Sequence, residues 1–184
     1  AVINITSEPV VEEPEPLNHT GMITADETWN ADRFHILNNK VVVSDGVTLT
    51  IEPGTIIKGS EGTGSLASAL IIAQGGKINA IGSADKPIIF TSTSDNIELG
   101  STIRSNLTSD DNGLWGGLII LGKAKISASD ADGNDSETAQ IEGIPGDEAF
   151  GKYGGLDNED NSGTIKYISI RHGGSLIGEG NEIN

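Results

Sequence analysis

The chain has no cysteine, few aromatic residues and no long apolar run, and each shortage excludes a class of protein. Without cysteine there is no disulfide framework, no thiolate nucleophile and no zinc site built from thiolates. Aromatic residues make up 4% of the 184 residues, so the core must consist mainly of Ile, Leu, Val and Ala. No stretch approaches the roughly 20 apolar residues of a membrane-spanning helix, and the sequence therefore predicts no transmembrane segment.

Basic residues are also scarce, since 11 Lys and Arg stand against 27 Asp and Glu, giving a formal net charge of −16. Because phosphate binding needs clustered cations, this balance argues against nucleic acid as a partner. It also disfavours an anionic membrane surface and favours the binding of cations. The alternative is an acidic surface that is simply solvated.

Helix-forming patterns are almost absent, and short apolar strands separated by glycine turns take their place. Val47, Leu49 and Ile51 alternate with two threonines, which is the period-two pattern of a strand with one buried face. Short strands at this density, with no helices between them, predict an all-β coiled solenoid. The closely spaced strands are predicted at residues 47–51, 54–58, 69–73, 76–81 and 87–91.

The same order of strand, glycine turn, strand and polar corner recurs along the chain. The first strands are predicted at residues 34–37 and 40–43, on either side of a turn at Asn38 and Asn39. Later cycles are predicted at residues 115–126 and 164–171. Three insertions separate the cycles, at residues 60–68, 92–113 and 128–162. Insertions of this kind project from one side of a solenoid and usually carry its function.

Residues 1–20 differ from the rest, because they are acidic, contain proline and include no Lys or Arg. Such a composition favours an extended chain. We therefore divide the sequence into an acidic N-terminal arm, residues 1–20, and a solenoid domain, residues 21–184. No capping helix is predicted after residue 172. The natural chain is thus expected either to continue with further coils or to stack on another subunit at this end.

The acidic segment 130–137 is the leading candidate for a cation site, because Ca²⁺ takes six to eight oxygen ligands. Its pattern differs from an EF-hand loop, since the glycine stands fourth and no glutamate stands twelfth. The alternative is a solvated acidic loop. The predicted calcium ligands are Asp130, Asp132, Asn134 and Glu137.

A second acidic segment, residues 157–161, suggests a similar calcium site. Its side chains have an alternative role, because Asp and Asn also cap turns by accepting hydrogen bonds from backbone N–H groups. The predicted ligands in this segment are Asp157, Glu159 and Asp160.

No catalytic residue is predicted. Arg171 and His172 are neighbours on one predicted strand and so point to opposite faces. We expect His172 to point inward or to lie at a corner, and Arg171 to lie on the surface. Trp29 and Trp115 are large enough to stack on sugar rings, although packing in the core is the favoured interpretation.

Several segments together resemble the repeats of right-handed parallel β-helix proteins that bacteria secrete or display. The segments are residues 46–57, 80–92, 115–124, 141–143 and 153–163. Over residues 20–175 the chain is similar to a family of β-helix lipoproteins and exported proteins of Gram-negative bacteria. The resemblance implies a right-handed parallel β-helix and a secreted or outer-surface location, but no agreed activity.

These observations predict a non-enzymatic cell-surface or extracellular module used in adhesion, fibre assembly or contact with carbohydrate. Its expected partners are further copies of itself, another surface protein or a carbohydrate. The alternative is a polysaccharide-degrading lyase or glycoside hydrolase, or a fragment of one, because any two coils could supply a pair of carboxylates.

Overall fold

The computed structural model describes residues 13–103, 105–130, 132–178 and 181–182. These residues contain seventeen short strands and two single turns of 3₁₀ helix, Gly64–Leu66 and Ala149–Gly151. The strands are β1 (Leu17–Ile23), β2 (Glu27–Trp29), β3 (Phe34–Val43), β4 (Thr48–Ile51), β5 (Ile56–Gly59), β6 (Ala69–Ile72), β7 (Lys77–Ile81), β8 (Ile88–Ser92), β9 (Gly117–Ile120), β10 (Ala128–Ser129), β11 (Asp135–Ser136), β12 (Ala139–Gln140), β13 (Lys152–Tyr153), β14 (Gly163–Lys166), β15 (Ile168–Ile170), β16 (Leu176–Gly178) and β17 (Asn181–Glu182).

Two parallel sheets form the body of the domain. The first consists of β2, β4, β7 and β14, and we call it the open sheet. The second has the order β15-β8-β5-β3-β6-β9, with β1 also paired to β3. All of these pairs are parallel, so successive passes of the chain stack in the same direction. This arrangement is a parallel β-helix and confirms the predicted all-β solenoid.

The larger sheet divides into two halves at Asn39, which has a φ of 58°. The residues of β3 before this point pair with β5, and we call β5, β8, β15 and this part of β3 the first wing. The residues after it pair with β6, and this part of β3 with β6 and β9 is the second wing. The two predicted strands here are therefore one strand, β3, although the expected positive φ is present.

A ladder of polar side chains stabilises this bend. The Asn38 amide donates to Asn18 Oδ1 at 2.9 Å, and the Ser60 hydroxyl donates to Asn38 Oδ1 at 2.8 Å. The three side chains come from successive coils, so the same corner repeats along the solenoid.

Residues 1–12 of the predicted arm lie outside the described residues, and residues 17–20 belong to β1.

Aliphatic side chains from both sheets fill the interior. Leu49 and Ile51 are almost fully buried, as their alternation with threonine predicts, and Ile78 and Ala80 lie beneath them on β7. Gly59 leaves room for Trp115, because a Cβ atom on Gly59 would lie 2.7 Å from the Trp115 Cβ. The interior cluster also includes Leu37, Val41, Val43, Ile57, Leu70, Ile72, Ile88 and Phe90.

Two predicted strand segments differ from the structure. Residues 164–171 do not form one strand, because the chain turns at Tyr167, where φ is 50°. Residues 123–126 are not a strand. Their backbone amides instead bond to loop side chains, Lys123 N–H to Asp160 Oδ2 at 2.8 Å and Lys125 N–H to Asn158 Oδ1 at 3.3 Å.

Three insertions leave the coils close to where they were predicted. We call residues 60–68 insertion I, residues 93–116 insertion II and residues 121–162 insertion III. Insertion III contains two small antiparallel pairs, β10 with β11 and β12 with β13. In the part of the chain that the structure describes, no helix is long and apolar enough to cross a membrane.

Candidate binding face

Insertion II covers the outer side of the first wing. Its Ile97 is 1% exposed and packs with Ile56 and Ile89, and Phe34 lies against the same cluster. These residues alternate with the interior ones along their strands, so they point away from the core. The insertion therefore gives the first wing a second hydrophobic layer.

A buried lysine fastens insertion II to the wing. Lys58 Nζ donates to the carbonyl oxygens of Asp95 at 2.8 Å and Ile97 at 3.3 Å, and lies 4.1 Å from the centroid of the Phe34 ring. Burial lowers the pKa of Lys58, while the nearby charge of Asp95 acts in the opposite direction. The Asp95 carboxylate accepts hydrogen bonds from the Thr91 hydroxyl and the Ile97 N–H. The contact is thus a polar anchor inside an apolar layer.

Insertion III covers the outer side of the second wing. Its Ile144 is buried, and Phe150 and Tyr153 pack beside it. The outward side chains that they cover come from adjacent strands. These are Val42, Ala69, Ile71 and Ile119, and Ala73 and Leu121 extend the same cluster just beyond the ends of β6 and β9. Two of the three outer faces of the solenoid are therefore closed by the chain itself.

The open sheet carries short polar side chains on its outer face. The register places Thr28 beside Thr50, Thr50 beside Asn79, and Asn79 beside Thr164. Thr28 and Thr164 are exposed, and Thr50 and Asn79 are partly exposed. We call these four residues the polar column.

Two lysines flank the polar column. Lys77 is exposed and pairs with Thr48, whose backbone N–H donates to Asp26 Oδ1 at 2.8 Å. Lys166 is exposed, pairs with Ile81, and has its Nζ 5.4 Å from the centroid of the Tyr167 ring. In a chain with few basic residues, both lysines lie on the face that the insertions leave uncovered.

This arrangement suits noncovalent contact with a long polar molecule. Neighbouring strands in a sheet are about 4.8 Å apart, so the polar column presents evenly spaced hydroxyl and amide groups. Each of these groups can donate and accept hydrogen bonds. Within the described ranges, no group of three or more His, Cys, Asp or Glu side chains is arranged to hold a metal ion.

The first predicted calcium segment forms a self-bonded loop at the end of β10. Asp130 Oδ1 accepts the backbone N–H groups of Asp132 at 3.0 Å and Asn134 at 2.9 Å. These bonds hold the pKa of Asp130 below its ordinary value. Glu137 is exposed beyond β11. Asp130 thus caps the turn of its own loop, and calcium binding at Asp130, Asp132, Asn134 and Glu137 stays a prediction.

The second predicted calcium segment also directs its oxygens at the backbone. Asp157 Oδ1 accepts the N–H of Glu159 at 3.1 Å, and Asp160 Oδ2 accepts the N–H of Lys123 at 2.8 Å. The first bond caps a local turn, and the second joins two parts of insertion III. Calcium binding by Asp157, Glu159 and Asp160 likewise stays a prediction.

The remaining candidate residues are buried in the core or contact backbone carbonyl groups. Trp29 and Trp115 are 1% and 0% exposed, which confirms the core interpretation. His172 lies at a corner with a φ of 58°, as expected, and its Nδ1 contacts the carbonyl oxygen of Asp111 at 2.5 Å. Arg171 is only partly exposed, contrary to expectation, because insertion II lies over it and Thr102 O accepts from its guanidinium at 2.8 Å.

Sequence reasoning missed two features, the Lys58 anchor and a contact between His19 and His35. A signal existed for His35, since it alternates with apolar neighbours on β3 and is 2% exposed. No local pattern marks the partner of either residue, because each contact joins coils or insertions far apart in sequence.

Stacked parallel coils with an aliphatic interior and inserted outer loops define a parallel β-helix domain. A family profile described as a pectate-lyase-like β-helix domain matches residues 21–184. The chain belongs to this family. No curated protein and no solved structure matches it. Membership supports the β-helix part of the resemblance noted from the sequence.

Proposed function

We propose that this domain is a non-catalytic module that binds an extended polysaccharide along the open sheet. The observation that carries the proposal is the contrast between the outer faces, since insertions cover both wings while the polar column is uncovered. A secreted or outer-surface location on a Gram-negative bacterium is part of the proposal.

The chemistry of the open sheet supports this ligand class. Sugar hydroxyls pair with side chains that both donate and accept, as threonine and asparagine do. A polymer laid across the strands would meet one polar group from each successive coil. Lys77 and Lys166 favour acidic sugars, because they are exposed cations beside the polar column.

Binding of purified polysaccharides to a double variant, Thr50→Ala with Asn79→Ala, tests the proposal. Each lost hydrogen bond is worth about 1 kcal/mol, so we expect affinity to fall about tenfold or more. The matched control is Thr63→Ala, at an exposed position of insertion I. Equal affinity of the double variant and the control for a bound glycan would overturn the proposal.

A polysaccharide-degrading enzyme is the second candidate, and the family membership favours it. This candidate predicts that incubation with acidic or neutral polysaccharides releases unsaturated or reducing ends. Release of such ends by wild-type protein, at a rate proportional to its concentration, would replace the non-catalytic proposal. A glycan that binds without being cleaved supports the binding module.

Adhesion through self-association is a further part of the proposal. Ile120, Ile165 and Ile170 belong to the last described strands of the two sheets and are each more than a third exposed. Strands with unpaired edges and apolar side chains are templates for pairing with another chain. Sedimentation velocity with and without Ca²⁺ tests this part, and a monomer at every concentration would exclude it.

A further inference from the structure

A chain of hydrogen bonds joins β1 to the rest of the domain through two histidines. His19 on β1 has its Nε2 2.9 Å from His35 Nδ1 on β3, and His35 Nε2 is 3.1 Å from the carbonyl oxygen of Asn30. The two rings are nearly parallel, at 13°, with centroids 5.2 Å apart. His35 is 2% exposed and His19 is partly buried.

The carbonyl of Asn30 fixes where the protons of this chain lie. A carbonyl oxygen only accepts, so His35 must carry a proton on Nε2. In a neutral ring Nδ1 is then an acceptor, and His19 must donate to it from its own Nε2. Both rings are neutral in this state, and a proton added to His35 Nδ1 would place two donors against each other.

Burial of the pair opposes added positive charge. His19 stacks on Trp29 with centroids 4.1 Å apart, and the Trp29 ring also lies 5.0 Å from that of His35. Burial and then the neighbouring His35 lower the pKa of His19 to about 4, and burial also lowers the pKa of His35.

Three charged groups face the histidine pair, and they act in both directions. Glu27 on β2 favours protonation of both rings, and its carboxylate accepts the Trp29 indole N–H at 3.0 Å. Asp32 favours a charge on His35, whereas Arg33 opposes it. The two residues pair with each other at 3.0 Å, so their effects partly cancel.

We propose that β1 is an acid-sensitive latch, in which protonation of the His19–His35 pair releases this strand from the edge of β3. Release would uncover the edge of β3 and the interior side of Trp29. The inference is independent of the polysaccharide proposal, because the pair lies inside the first coils and not on the open sheet.

The direction of the pH effect follows from proton linkage. The folded pKa of His19 lies below its ordinary value of 6.5, so the released strand binds more protons than the docked one. Docking is therefore complete above about pH 6.5 and weakens as the pH falls toward 4.

Hydrogen exchange of β1 amides, corrected for intrinsic rates, tests the latch between about pH 7 and about pH 4. We expect the protection of β1 to fall about tenfold or more over this range, while β7 in the middle of the open sheet keeps its protection. Constant protection of β1, or an equal loss in both strands, would overturn the proposal.

Two variants assign the effect to the histidine pair. His19→Gln keeps an amide donor for His35 but does not titrate, so the loss of β1 protection on acidification should be smaller. His172→Gln is the control, because His172 lies at a distant corner, and it should behave like wild type. An unchanged acid response in His19→Gln, or a reduced one in His172→Gln, would contradict the latch.

A third variant covers the case in which His19→Gln fails to dock at neutral pH. Glu27→Gln keeps an acceptor for the Trp29 indole but removes the charge that favours protonation of both histidines. The docked pair should therefore accept protons less readily, and the midpoint of β1 release should move to higher pH. A midpoint that stays in place would overturn the proposal.

Discussion

The wings and the open sheet share one backbone arrangement but have opposite outer faces. On the wings, outward residues such as Ile71 and Ile89 are 0% and 1% exposed, because insertions cover them. On the open sheet, the equivalent positions hold Thr50 and Asn79. Burying apolar side chains stabilises the covered faces, whereas short polar side chains remain stable in contact with water. The outward residues of this β-helix are therefore mainly apolar where an insertion covers them and mainly polar where none does.

Polar contacts fix the position of each insertion on the apolar face that it covers. Lys58 bonds to two carbonyl oxygens of insertion II, and Gln74 bonds to the carbonyl oxygens of Gly122 and Gly154 in insertion III. A buried amide or ammonium group is costly without partners, so these contacts fix the path of each insertion. On the open sheet, outward polar groups have no such requirement and are available to a ligand.

The largest loss of stability is expected when a side chain buried beneath an insertion is truncated. Ile71→Ala should lower the free energy of unfolding by about 3 kcal/mol, because it removes a buried side chain between the second wing and insertion III. Asn79→Ala, on the open sheet, should change it by only about 0.5 kcal/mol. Denaturant titration of both variants measures the contrast. Similar losses in the two variants would contradict the division into covered and open faces.

A smaller effect is expected when the anchor of insertion II is removed. Lys58→Met fills a similar volume but leaves the carbonyl oxygens of Asp95 and Ile97 without their donor. We expect destabilisation of about 2 kcal/mol, with faster hydrogen exchange in residues 93–116. Lys77→Met on the open sheet is the matched control. Unchanged exchange in insertion II of Lys58→Met would show that the anchor is dispensable.

The anchor of insertion III should have a more modest effect. Gln74→Ala removes two hydrogen bonds to backbone carbonyls at 2.9 and 2.6 Å. We expect a cost of about 1 kcal/mol, confined to faster exchange around residues 122–124 and 152–155. A loss spread over all strands of the domain would show instead that insertion III and the coils unfold together.

The smallest effect concerns calcium. Because the carboxylate of Asp130 already accepts backbone N–H groups, Ca²⁺ would have to replace these bonds. We therefore expect binding no tighter than about 10⁻⁴ M, within the range of weak extracellular sites. Calorimetric titration of wild type and Asp130→Asn measures this. Tight binding that Asp130→Asn abolishes would show that the loop reorganises around the ion.

The sequence carried enough information for the strands and much of the interior. Leu49 and Ile51 alternate with threonines, and this period placed one face of β4 in the core. A second pattern in the sequence was equally informative. Residues 69–73 are apolar at every position, which is typical of a strand buried on both faces. In contrast, β7 alternates, as expected for one exposed face.

The features of the structure that were not predicted depend on contacts between residues far apart in sequence, which no local pattern indicates. The partners of Lys58 and of His19 are set by the path of insertion II and by the register between coils. The turn at Tyr167 was missed because a non-glycine residue with a φ of 50° gives no sequence signal of its own. The capping of its own turn by Asp130 was not predicted, because an acidic composition does not report which backbone N–H groups a carboxylate accepts.

Hydrogen exchange with and without a bound oligosaccharide shows whether the open sheet is the binding face. We expect increased protection in β4, β7 and β14, with no change in insertions II and III. Protection confined to residues 93–116 or 121–162, with the open sheet unaffected, would contradict it.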